Sequence, residues 1–112
     1  SIDLIMQMGS RVLGKSEEHG RALRLLGRVA LAEGDWAAAG QHLEKSAAMF
    51  RASGTRLEQG RTLVELGRLA LARGDASSAG QSLQSALNIF QDLGAKADER
   101  VAAKLLAGPR LQ

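Results

Sequence analysis

Cysteine is absent from the 112-residue chain, which excludes disulfides, thiolate metal sites and cysteine nucleophiles, and favours a cytoplasmic home. Proline occurs once, in Gly108-Pro109 near the end, so no proline interrupts a helix before that point. Aromatic residues make up 3% of the chain, too few to supply the stacking platforms of single-stranded nucleic-acid binding. Long hydrophobic runs are also missing. The apolar opening from Ile2 to Met8 is too short to span a bilayer and lacks the basic flank of a signal peptide, so no membrane association is expected.

What is present favours helix. With 45% hydrophobic and 24% charged residues, rich in Ala, Leu, Arg, Glu and Gln, the composition is that of a soluble, ordered all-α protein. A chain of this length forms one domain with a thin core, burying only about two-thirds of its unfolded surface. Net charge is +3, which keeps the chain in solution and mildly favours acidic partners.

The chain is written twice. Gly20–Gln59 and Gly60–Glu99 are identical at about two positions in five, and a self-similar period of about 40 residues marks a stacked repeat architecture. Apolar residues Leu4, Ile5, Met8 and Val12 predict a first helix stopped at Gly14. Ser16 caps a second helix to about Glu33, with Ala22, Leu23, Leu26, Val29 and Ala30 as its buried stripe. Gly34-Asp35 is a two-residue link, Gly34 stopping one helix and Asp35 capping the next, so the two pack antiparallel. The third helix, Trp36 to Ser53, buries Ala39, Leu43, Ala47 and Phe50 and ends at Gly54. Thr55 and Glu58 have capping-box spacing at the start of the fourth. The same grammar follows with Leu63, Leu66 and Ala70, the Gly74-Asp75 link, then Ala79, Leu83, Leu87 and Phe90. A last helix, Lys96 to Ala107, is cut short by Gly108-Pro109. Six helices are expected in one domain over 1–112: a half-repeat helix at 1–15, repeats at 16–54 and 55–94, and a terminal helix and tail at 95–112.

Gly27 and Gly67 fall mid-helix, where glycine costs about 1 kcal/mol relative to alanine. Their recurrence, like that of Gly40 and Gly80, points to helix axes in close approach, which a large residue such as Gly27→Leu would disrupt.

The series Leu23, Leu26-Gly27, Ala30, Gly34-Asp35, Ala39, Leu43, Ser46 and its copy Leu63, Leu66-Gly67, Ala70, Gly74-Asp75, Ala79, Leu83, Ala86 resembles the tetratricopeptide repeat family. Departures are Leu for the first aromatic, Ala for the usual Tyr, Ser46 for Ala, no proline between repeats, and a period longer than the common 34. The long variety is similar to repeats in the C-terminal arms of bacterial signalling ATPases, transcription regulators and cyclase-like proteins. The resemblance implies a right-handed α-solenoid of antiparallel helix hairpins, two full repeats with a half-repeat at each end. It also implies that the first helix of each hairpin lines a concave surface.

Helical spacing says which side chains share that face: Arg21, Arg24, Arg28 and Leu31, then Arg61, Val64, Arg68 and Leu71, with Lys104 at the position of Arg24 and Val64. A basic strip with an apolar end fits an acidic peptide or partner helix, since guanidinium groups hold carboxylates bidentately. A second reading has the arginines solvate an exposed face and pair with Glu17, Glu58 and Glu65.

Trp36, just after Gly-Asp, is expected to pack on a neighbouring helix, and Phe50 and Phe90 to lie in the core. His19 and His42 lack partners at metal-ligand spacing, and no serine belongs to a nucleophile elbow, so no metal, cofactor or catalytic residue is expected. The reading is a noncatalytic protein-binding module, part of a larger regulatory protein, since the chain has no initiator Met and a half-repeat at each end. Two other roles remain open. One is an oligomerising or regulatory arm, with Ile2, Ile5, Met6 and Met8 offering apolar surface to other chains. The other is nucleic-acid backbone binding along the arginines, disfavoured by the modest charge.

Overall fold

A computed structural model describes residues 2–108, with side-chain surroundings from Ser16 to Gly108. It holds five helices: α1 (Ile2–Ala32), α2 (Trp36–Ser53), α3 (Arg56–Ala72), α4 (Ala76–Leu93) and α5 (Lys96–Ala107). Among the described residues there is no strand. α1 packs on α2 and α3 on α4 as hairpins; α2 meets α3 and α4 meets α5 at the junctions between repeats. The architecture is a tetratricopeptide-like helical repeat solenoid.

Five helices replace the six expected, because α1 runs unbroken through Gly14 and Ser16. A glycine weakens a helix without ending it. The stops carry a left-handed glycine, and the two within the hairpins add an aspartate cap. Gly34 and Gly74 sit at φ 79° and 76°, and Asp35 and Asp75 then accept hydrogen bonds of 3.1 Å from the Ala38 and Ser78 amides. Gly54 and Gly94, at φ 72° and 69°, close α2 and α4. Gly14 is not among the left-handed glycines, and the helix continues through it.

Among the described residues the largest fully buried side chains are Phe50, Phe90, Leu43 and Leu83, at matching places in the two copies. Each faces a glycine. A Cβ on Gly27 would stand 2.5 Å from Leu43 Cγ, and one on Gly67 2.6 Å from Leu83 Cγ. Gly20 and Gly60 are seated just as closely against the Phe50 and Phe90 rings, a role not foreseen for them. The bare backbone lets a large side chain lie across the facing helix, and this contact outweighs the propensity cost. Gly40 and Gly80 are not such seats, contrary to expectation. A Cβ on Gly40 would make ordinary contact with Leu69 at 3.7 Å, and one on Gly80 would meet nothing within 4 Å.

Part of the expected core of α1 is also bare. Leu23 and Ala30 are buried, but Ala22, Leu26 and Val29 are exposed, Leu26 by 50%. Their counterparts on α3, Thr62, Leu66 and Leu69, lie on the side that meets α2, and α1 has no helix there among the described residues.

Candidate functional site

α1, α3 and α5 lie side by side, so the first helices of successive repeats form one surface. Two clefts open on it. The first, about 190 Å³, lies among Arg24, Arg28, Arg61, Val64, Glu65, Arg68, Asp98 and Val101. The second, about 450 Å³ and largely apolar, adjoins it through Arg68 and Val101 and is completed by Leu71, Lys104, Leu105 and Gly108.

The cations on this surface are not equivalent. Arg24 is 16% exposed and pairs across the helices with Glu58, Nη2 to Oε2, at 2.9 Å. Its other terminal nitrogen donates to the Glu58 carbonyl at 3.3 Å and to Thr62 Oγ1 at 3.4 Å, and its guanidinium lies 5.7 Å from the Phe50 ring centre. Arg24 thus helps hold α3 against the first hairpin. Arg61 pairs with Glu58 at 3.2 Å and forks onto Asp98, Nε to Oδ1 at 3.1 Å and Nη2 to Oδ2 at 3.3 Å. The hydrogen bond that Arg61 donates to Asp98, more than the charge of Asp98 or of Glu58, raises the Arg61 pKa above its ordinary value. The sequence Arg24, Glu58, Arg61, Asp98 is therefore a ladder of alternating charge across all three helices.

Arg28 and Arg68 stand apart. Their side chains are 61% and 44% exposed, and both approach the same oxygen, Glu65 Oε1, at 3.8 and 3.7 Å. These are ion contacts longer than any hydrogen bond. Lys104 is exposed on the rim of the second cleft.

The remaining expected positions divide. Leu71 is exposed in the second cleft, while Val64 is buried in the core and reaches the first cleft only as its floor. Leu31 packs on the cluster of Ala30 and Leu43, away from both clefts. Arg21 is exposed and lines neither. Asp98, Val101 and Leu105 enter the site unforeseen. Asp98 had a signal in the sequence, because it falls one repeat period after Glu58.

The pairing foreseen along single helices is partly redistributed between helices. Glu17 accepts from Thr55 Oγ1 at 3.0 Å, and Glu58 reaches back to Arg24. The capping box accordingly does not form, since the Thr55 side chain caps no amide of α3. Trp36 is 44% exposed at the start of α2. No three His, Cys, Asp or Glu among the described residues cluster as metal ligands. No helix there is long and apolar enough to cross a membrane.

The paired hairpins, each closed by Gly-Asp and each seating a phenylalanine on a glycine, accord with a match of the tetratricopeptide repeat family to residues 6–92. The chain belongs to the tetratricopeptide repeat family. Tetratricopeptide repeats generally mediate protein–protein interaction and are typically noncatalytic. No curated protein and no solved structure matches the chain.

Proposed function

We propose that this tetratricopeptide repeat chain is a noncatalytic interaction module of a larger regulatory protein, and that its concave groove binds an acidic segment of a partner. The observation that carries the reading is the sharing of one carboxylate, Glu65, by Arg28 and Arg68, both substantially exposed. Arg24 and Arg61 are occupied by hydrogen-bonded partners, whereas Arg28, Arg68 and Lys104 keep donors for a ligand. Exposed ion contacts contribute at most roughly 1 kcal/mol each, so a partner carboxylate exchanges with them at little cost.

The test is the double substitution Arg28→Gln with Arg68→Gln, read by fluorescence anisotropy of a labelled decapeptide of Glu and Gly. Binding is expected to weaken about tenfold or more with the melting temperature nearly unchanged. Undiminished binding rejects the groove. Arg24 is unsuited to this test, because its removal also unties α3 from the first hairpin.

A second reading, an oligomerising arm, is favoured by the exposure of Leu25, Leu26 and Val29 on the outer side of α1. The side chains of Ile2, Ile5, Met6 and Met8, which suggested it in the sequence, lie outside the described residues. Light scattering over a concentration series checks this reading. A strict monomer at the highest concentration rejects it.

A further inference from the structure

Glu65 is out of place in the repeat. One period before it stands Leu25 and one period after it Leu105, so the middle helix alone carries an acid at this position. Its side chain is 15% exposed, between two guanidinium groups that it contacts but does not hydrogen-bond. The two groove arginines that do hydrogen-bond a carboxylate, Arg24 and Arg61, hold theirs at 2.9 and 3.1 Å. Glu65 therefore screens Arg28 and Arg68 without satisfying them. The cleft that Glu65 lines adjoins, through Arg68 and Val101, the apolar cleft of Leu71 and Leu105, rimmed by Lys104. The five cations of the two clefts, Arg24, Arg28, Arg61, Arg68 and Lys104, face three carboxylates, Glu58, Glu65 and Asp98. Among the described residues the cations without a hydrogen-bonded acid are Arg28 in the first cleft, Arg68 shared by both, and Lys104 in the apolar one.

We infer that Glu65 is an internal stand-in for a partner's carboxylate, and that the ligand is a short acidic-aliphatic step. Its carboxylate replaces Glu65 between Arg28 and Arg68, and its aliphatic side chain enters the cleft of Leu71, Val101 and Leu105. This inference rests on the reading that the groove binds an acidic segment. Charge complementarity fixes the first half of the ligand, and the adjoining apolar cleft fixes the second. Glu65 then competes with every acidic ligand, lowering affinity and raising the demand for the aliphatic contact.

The test is a titration of the isotope-labelled protein, followed by amide chemical shifts, with a capped peptide carrying Glu and Leu two residues apart in a Gly-Ser background. Two control peptides replace the Glu by Gln or the Leu by Ser. Each control is expected to bind about tenfold more weakly than the parent. Glu65→Gln should tighten the parent about threefold and leave the Gln control unchanged. Leu71→Ser, at an exposed position, should abolish the preference for Leu over Ser while acid-dependent binding persists. If the parent binds through its Glu but Glu65→Gln leaves its affinity unchanged or weaker, the stand-in role is overturned and the groove survives. If Leu71→Ser keeps the Leu preference, the aliphatic subsite is overturned. If neither the parent nor the Glu-Gly decapeptide binds, the groove reading itself fails.

Discussion

The two inter-repeat junctions occupy the same register and solve it with opposite chemistry. Where α3 meets the first hairpin, Ser46 donates to the Gly20 carbonyl at 2.7 Å and meets Thr62 Oγ1 at 3.2 Å, beside the Arg24–Glu58 pair. Where α5 meets the second, one period later, Ala86 and Ala102 stand in place of Ser46 and Thr62, fully buried, with Val64 in place of Arg24. The backbone spacing accepts both. In the first, each hydroxyl and charge leaves water and is matched by a partner; in the second the fully buried positions are apolar and need none, and the charged pair, Arg61 with Asp98, keeps more contact with water. Fold here is set by the glycine seats and the large residues across from them, while the junction chemistry is free to vary.

The sharpest way to break this comparison is to remove one member of the polar junction. Glu58→Ala leaves the Arg24 guanidinium under α3 without its carboxylate, and a loss of about 2 kcal/mol or more is expected in urea denaturation. Asp98→Ala, which takes the equivalent acid from the second junction, strands only a half-exposed Arg61 and should cost no more than about 1 kcal/mol. Equal losses would mean that the two junctions are alike in spite of their chemistry.

A smaller effect tests whether the first junction can adopt the second one's solution. Ser46→Ala and Thr62→Ala should each cost about 1 kcal/mol, because each leaves hydrogen-bonding capacity buried. Made together they reproduce Ala86 and Ala102, and the double variant should be more stable than the summed single losses by about 1 kcal/mol. Additive losses would show that the two hydroxyls act independently.

The same contrast explains what could be read from the chain before its structure. Hairpins, Gly-Asp links, left-handed stops and the seating of Gly27 and Gly67 were legible, because each is a local or strictly recurring signal. Leu26 and Val29 were not, since their burial depends on a neighbouring helix that helical spacing cannot reveal. Gly14 had the register of a stop, but the helix runs through it. In the groove, spacing placed Arg24, Arg28, Arg61 and Arg68 on one face, yet it could not distinguish the hydrogen-bonded pairs from the loosely held ones. That distinction depends on acids of the next helix, Glu58 for Arg24 and Asp98 for Arg61, and pairing between helices has no period within a single helix.

The smallest effect concerns the links, whose Gly-Asp pairs are identical in sequence but whose aspartates meet different neighbours. Asp35 accepts from the Ala38 amide, whereas Asp75 has Ser78 at the same place. Hydrogen bonding from the Ser78 side chain, and then from its amide, holds the Asp75 carboxyl below its ordinary value of 3.8. A carboxyl whose folded pKa is depressed adds stability above its unfolded value, and that contribution fades as pH falls through the folded one. Acidification below about pH 4 should therefore progressively withdraw the stabilisation that Asp75 gives the second link. Ser78→Ala gives this link the side chain found at position 38. In a carboxyl-detected titration, the Asp75 midpoint should then rise toward the ordinary value. An unmoved midpoint would assign the depression to something other than the Ser78 hydroxyl, and with it the difference between the two links.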